Sequence, residues 1–374
     1  MTEENRTLKG HILGAQGWVA GAIEFDGQGR VHRIMGAPVD ERVARESGEP
    51  IILPGFIDLH VHGGGGSDIM DGGAAAAHVA QCHAAHGTTA LLATTMTAPF
   101  EDLVTAFSGL RDAGARRGRR ASRVLGVHLE GPYINAGKLG AQPDFARPVS
   151  LEELARLNAM APIRLITLAP EVAGNMDDIR ALVEGGYLVQ IGHTAGTYEQ
   201  GVEALSRGAR GFTHLFNAMS GLHHRAPGMA GAALAHATYA EVIPDLLHVH
   251  PGALRVALRS IPRLYCVTDS TSATGMPDGD YRLGRQSVTK CLGGVRLADG
   301  TLAGSTLTMD LALRNLVQQL GLGLAEASAR VSTHAADHLG LDDRGRLAPG
   351  AWADAVVLDR DLNIKDVFVE GVSI

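Results

Sequence analysis

From Pro54 to Leu341, short apolar runs alternate with segments whose apolar residues recur at helical spacing. The runs GFIDLHVH, Thr88–Thr94, RVLGVHLE, IRLITLAP, YLVQIGH, GFTHLF and LYCVTD are predicted strands. Ala74–His86, Leu151–Asn158, Asn175–Glu184 and Tyr198–Ser206 are predicted helices. Strands alternating with helices imply βα units and a parallel sheet. About 290 residues suit an α/β fold of eight such units, a (β/α)8 barrel of the TIM type, whose usual size is about 250 residues.

The two ends of the chain read differently. HILGAQGWVAGAIEFDGQGRVHRIMG near the start alternates at strand period and is broken by the turn signals Asp26-Gly27 and Gln28-Gly29. GRLAPGAWADAVVLDRDLNIKDVFVEGVSI at the other end alternates in the same way. The expected organisation is one small sheet domain built from residues 1–53 and 342–374, with a barrel over residues 54–341 between them. No linker divides the middle.

Composition narrows the class. Apolar residues make up 45% and charged residues 20%, which is globular and excludes a disordered chain. The 48 glycines fall in scattered turns and not in one repeat, which excludes collagen-like and linker readings. A net charge of −7 argues against a general nucleic-acid binder. The one basic run, Arg116–Arg120, reads as a solvated helix end with its loop. Cys82, Cys266 and Cys291 are far apart and form no CxxC, so neither a disulfide framework nor a cysteine zinc site is expected. The polar start MTEENRTLKG lacks the features of a signal peptide. No apolar run reaches the roughly 20 residues of a membrane span. The chain reads as a soluble, cytoplasmic protein.

The chemistry lies at the C-terminal ends of the apolar runs. His60 and His62 end the first, Glu130 ends RVLGVHLE, His193 ends YLVQIGH, His214 closes GFTH and Asp269 ends LYCVTD. In a (β/α)8 barrel these ends converge on one face, where active sites lie. His60 and His62 stand two apart on a strand and share a face. Four imidazoles and one carboxylate suit Zn, Fe or another borderline divalent ion, and Glu130 can bridge two ions. Asp269 is then placed to take a proton from an activated water and pass it to a leaving amine. One strand-end histidine is ordinarily structural, but five separate strand ends supplying ligand-type residues are not explained by packing. His128 shares a strand face with Glu130 and reads equally as a ligand or as a hydrogen-bonding neighbour of one. His83, His86, His223, His236 and His334 read as structural or surface residues. Gly63–Gly66 matches no phosphate-binding pattern and reads as a loop permitting close substrate approach.

PGFIDLHVHGGGG, GVHLEGPYIN, GHT, THLFNAMSGLHHRAPG, HVHP, VTDSTSATGMPDGDYRLG and LAGSTLTMD stand in this order from Ile52 onward. Together they resemble the N-acetylglucosamine-6-phosphate deacetylases of the amidohydrolase superfamily. The resemblance implies a (β/α)8 barrel with a small β-sandwich from both chain ends. It implies Glu130, His193 and His214 as metal ligands, His60 and His62 as a second-metal pair, and Asp269 as the acid/base. One or two divalent ions per subunit are implied, Zn or Fe. Asn217 and Ala218 match a phosphate-contacting segment, and Leu302, Ala303 and Gly304 match a segment lining the sugar pocket. Arg225 and His248 match phosphate contacts that come partly from a neighbouring subunit, so the resemblance implies a homodimer acting on a phosphorylated amino sugar. Two departures face the substrate. The family's Lys-x-Gly-Ala-His reads Lys138-Leu139-Gly140-Ala141-Gln142, placing Gln142 among the substrate contacts. The family's Ala-Asp-Gly-x-His reads Pro244-Asp245-Leu246-Leu247-His248. A glutamine still donates hydrogen bonds but carries no charge. The alternatives are another N-acyl substrate, such as N-acetylgalactosamine 6-phosphate or an N-acyl amino acid, and a metal-free barrel scaffold, which the complete ligand set opposes.

Overall fold

The structure is a computed structural model that describes residues 6–374. Six parallel strands form one curled sheet: Phe56–Val61, Thr88–Thr95, Arg123–Glu130, Ile163–Leu168, Leu188–Ile191 and Gly211–Phe212, each hydrogen-bonded to the next. Tyr239–Val242 and Arg263–Cys266 form a parallel pair that continues the curl. The circle closes through backbone bonds beyond the strand ends, from Asp269 N–H to His60 O and from His62 N–H to Ser270 O, both 2.9 Å. The first two strands are buried along their whole length. Helices pack against both, and the polar Asp58 and His60 of the first are buried with the rest. The chain therefore has the (β/α)8 barrel that its pattern predicts.

The predicted helices form over Leu151–Asn158, Asn175–Glu184 and Tyr198–Ser206, and the first over Ala75–Ala84. Local chemistry explains some of the boundaries. The Ser150 hydroxyl accepts from Glu153 N–H, and Thr197 with Gln200 forms a reciprocal capping box.

The two ends of the chain build one seven-stranded sheet. Its order is Val372–Ser373, Ile364–Val369, Ala355–Leu358, Ile51–Pro54, Arg6–Gly14, Gly17–Phe25 and Val31–Pro38. Alternate residues face opposite ways. Ile12, Ile23, Ile52, Ala355 and Phe368 enclose a small core of their own, while Ile51, Leu53, Val356 and Leu358 join the barrel core.

Two elements go beyond the sequence reading. Tyr239–Val242 is the seventh barrel strand and was not among the predicted runs. A three-stranded antiparallel unit, Gly279–Leu283, Gln286–Cys291 and Gly294–Arg296, is inserted after the eighth strand. It packs Leu283, Val288 and Val295 against Met96, Ala273 and Ala303 beside the barrel mouth.

Candidate metal centre

Asp58 and His60 on the first barrel strand, and His62 just past its end, alternate and point into the barrel, where all three are buried. Glu130 ends the third strand. His193, His214 and Asp269 follow the fifth, sixth and eighth strands. All three adopt left-handed backbone, with φ of +47°, +28° and +50°. Such angles cost about 1–3 kcal/mol each in non-glycine residues and gather where the surroundings fix a functional geometry.

These side chains meet. His193 Nε2 and His214 Nε2 lie 3.1 and 3.0 Å from Glu130 Oε1 and 3.1 Å from each other. On the other side, His60 Nε2 and His62 Nε2 are 3.1 Å apart, and both lie within 3.4 Å of Asp269 Oδ1. Glu130 stands between the two groups, with its Oε2 3.2 Å from His62 Nε2.

The donor set fits divalent cations. His193 Nδ1–H donates to Lys138 O at 2.8 Å, and His60 Nδ1–H donates to Glu241 Oε2 at 3.0 Å. With those protons fixed on Nδ1, each Nε2 presents a lone pair to carboxylate oxygens and to another imidazole. Facing acceptors repel unless a cation lies between them. Tetrahedral bonds of about 2.0–2.1 Å would set ligand atoms about 3.3 Å apart, close to the spacings found. His62 Nδ1 and His214 Nδ1 meet no hydrogen-bond partner among the described residues. The same demand for positive charge moves the pKa values. Burial alone would depress His60, but the carboxylates of Glu130, Asp269 and Glu241 push it well above the usual imidazole range. Burial likewise opposes the shift of His62, yet its bonds to Asp269 and Glu130 carry it up to about 9. Burial would raise Glu130 and Asp269, but the surrounding imidazoles hold both below the ordinary carboxylate range.

Glu241 was missed by sequence reasoning. It sits fully buried on the seventh strand and also accepts from Gln190 Nε2 at 2.8 Å. It fixes the His60 tautomer, as carboxylates behind metal-bound histidines do. The signal was an acid alone in an apolar stretch, YAEVI. His128 stands beside His60. Its nitrogens face Leu59 O and Thr167 Oγ1, and its ring packs edge-on against His60 at 4.6 Å. Burial, then the charge of His60, lowers it to about 3.

A cavity of about 340 Å³ opens over the group. His62, Glu130, His193, His214 and Asp269 line its floor, and His60 lies wholly buried behind them. Of the expected substrate contacts, Gln142, Asn217, Ala218, His248, Leu302 and Gly304 line the cavity. Ala303 faces away, into the apolar cluster under the inserted sheet. Arg225 is exposed outside the cavity, with Nη1 2.9 Å from His224 Nε2. His248 thus faces its own chain's cavity, whereas Arg225 lies outside it. Burial works against charge on His248, yet the Asp245 carboxylate at 2.6 Å raises it. Lys138 also lines the cavity and was not foreseen as a contact. Leu246, where the resembling family carries glycine, holds a φ of +66°, a conformation glycine adopts without strain. The glycine run does not line the cavity. Gly63 packs so tightly on Ser272 and Ser67 that a Cβ there would lie 2.4 Å from Ser272 N. Its role is backbone contact, and His83 donates to its carbonyl at 3.0 Å.

A closed βα barrel with imidazoles and carboxylates gathered at the C-terminal ends of its strands defines the class of metal-dependent barrel hydrolases. The chain belongs to the amidohydrolase family, which matches residues 51–374. It is similar to the N-acetylgalactosamine-6-phosphate deacetylase of Escherichia coli O157:H7, with 39% identity over 89% of this chain and 90% of the relative. It is equally similar to the N-acetylglucosamine-6-phosphate deacetylase of Lysinibacillus sphaericus, at 39% over 87% of this chain and 86% of the relative. Among solved structures it matches a mutant N-acetyl-D-glucosamine-6-phosphate deacetylase from Mycobacterium smegmatis in complex with N-acetyl-D-glucosamine-6-phosphate. The TM-score is 0.90 and the identity 33%, over 99% of each chain.

Proposed function

We propose that the protein hydrolyses the acetamide of N-acetyl-D-glucosamine 6-phosphate to D-glucosamine 6-phosphate and acetate. The observation that carries this reading is the convergence of Glu130, His193 and His214 beside Asp269 on the floor of one cavity. Those three residues would hold a divalent ion, and His60 and His62 beside them would hold a second. Zn and Fe both suit the donors. When bound, a divalent cation supplies Lewis-acid polarisation of the acyl oxygen and a water whose pKa falls to about 7.

The chain's own residues supply the rest. Asp269 is ionised at neutral pH because the imidazoles hold its carboxyl low. It takes a proton from the attacking water and delivers it to the departing amine nitrogen, so water is added across the C–N bond. The carbonyl of Lys138 and the carboxylate of Glu241 hold His193 and His60 in the tautomers this requires. His248, whose pKa the Asp245 carboxylate raises against the effect of burial, and the backbone of Asn217 and Ala218 suit the phosphate end of the ligand. The protein works as a homodimer in which Arg225 reaches the neighbouring cavity. Its three cysteines are unpaired and no helix among the described residues is long and apolar enough to cross a membrane, both in keeping with a cytoplasmic enzyme.

A second reading, the C4 epimer N-acetylgalactosamine 6-phosphate, rests on the similarity to the Escherichia coli relative. Deacetylation of a panel of N-acetylated sugars, with and without the 6-phosphate and after defined metal loading, separates the two. The higher kcat/KM names the substrate. Turnover of neither sugar phosphate, under any loading, rejects both.

A further inference from the structure

Gln142 lines the cavity and is buried at 4% exposure. Its amide is oriented without ambiguity. Thr97 N–H donates to Gln142 Oε1 at 2.6 Å, and a backbone N–H requires an acceptor. The nitrogen therefore faces the other way, where Nε2–H donates to Glu130 Oε2 at 2.5 Å. A carboxylate oxygen requires a donor, so both ends agree.

Glu130 is the one side chain common to both imidazole groups. Its Oε1 faces His193 and His214, and its Oε2 faces His62. Rotation of this carboxylate would spoil both groups at once. Around Glu130, the groups other than Gln142 that face its oxygens are imidazoles. An imidazole that gives its Nε2 lone pair to a metal no longer donates to the carboxylate, which would leave the Gln142 amide as its hydrogen-bond donor.

We infer that Gln142 is a positioning residue for metal binding: braced on the Thr97 backbone, it fixes the plane of the bridging Glu130 carboxylate, and it is not primarily a sugar contact. This rests on the reading of Glu130 as a metal ligand. One lone pair of Oε2 is given to the amide, and the other stays turned toward His62. Because the amide is neutral, it orients the carboxylate without cancelling the charge an ion needs. Partners of this kind behind metal ligands are worth 10- to 100-fold in metal affinity.

The test compares the full-length wild type with Gln142→Met and Gln142→Asn. Methionine fills the same space without a donor. Asparagine keeps the amide but is one methylene too short to span Thr97 and Glu130. Zn²⁺ affinity is measured by competition with a chromophoric chelator, ion content by elemental analysis, and KM for the sugar phosphate separately from kcat. Both variants are expected to bind Zn²⁺ about 10- to 100-fold more weakly, with KM at saturating metal changed less than about threefold. Zn²⁺ affinity within about twofold of wild type, with a raised KM, would overturn the inference and make Gln142 a substrate contact. Wild type that binds no divalent ion under any loading would overturn the functional reading itself. If one variant fails to fold, the other decides alone.

Discussion

Asp269 shows how one residue can carry chemistry that its identity alone does not announce. Its carboxylate lies 3.4 Å from His60 Nε2 and 3.3 Å from His62 Nε2, on left-handed backbone at the barrel mouth. Asp269→Asn preserves size but cannot accept a proton. Its kcat is expected to fall about 10²- to 10⁴-fold with metal content unchanged. Near-wild-type turnover, measured on protein of verified metal content, would remove Asp269 as the proton carrier. Glu241 acts through another residue. Glu241→Gln leaves a side chain that can place either an oxygen or an NH₂ group against His60, freeing its tautomer. Metal affinity is expected to fall about 10- to 100-fold, read by chelator competition. An unchanged affinity would make Glu241 merely a filler of the barrel interior. At this scale the sequence was legible wherever a polar residue ended an apolar run. Glu241 escaped because it lies inside an apolar stretch and not at its end, so its one local signal, an acid among hydrophobic neighbours, did not match the strand-end pattern.

At the scale of elements, the turn between the last two strands is tied to the barrel by one carboxylate. Glu370 accepts from Arg123 Nη2 at 2.7 Å, Arg344 Nη2 at 2.6 Å and Arg117 Nε at 3.1 Å. Burial would raise its pKa, but Arg123 and Arg344 bring it from 4.5 down to about 2. A depressed carboxyl contributes stability that is complete above its unfolded pKa and is lost as pH falls through the folded one. Glu370→Gln is therefore expected to cost about 2 kcal/mol at neutral pH, after allowance for solvent screening. The difference from wild type should shrink as pH drops from 4.5 toward 2. Urea unfolding of both proteins across that range is the measurement, and a difference independent of pH would exclude the ionic origin. The strands and helices with strong periodicity were readable from sequence, and Leu151–Asn158, Asn175–Glu184 and Tyr198–Ser206 form over the predicted residues. The inserted sheet at 279–296 was not read. Its alternation was present, but short strands near a barrel end resemble loops until Met96 and Ala303 give them something to cover.

For the whole molecule, the position of Arg225 matters most. It is exposed and outside its own cavity, while Leu222 beside it is 59% exposed. In the proposed homodimer this loop meets the partner's cavity. Arg225→Ala is expected to raise KM for the phosphorylated sugar about 10- to 100-fold, and KM for the free sugar little. Equal effects on both would remove the phosphate role. Light scattering that finds only monomer at assay concentration would remove the shared cavity.

The sequence by itself determined the barrel class and the positions of the metal-binding types of residue. Period-two and helical patterns are local, and a histidine at the end of a buried strand is visible one strand at a time. Only the tertiary structure decided what those residues face. It turned Gln142 toward Glu130, set Glu241 behind His60, kept His248 in its own cavity and put Arg225 outside it. The physical reason is that these are contacts between residues 12 to 181 positions apart, or relations to a cavity that many strands share. Their energy depends on barrel closure, which no local window of the chain contains.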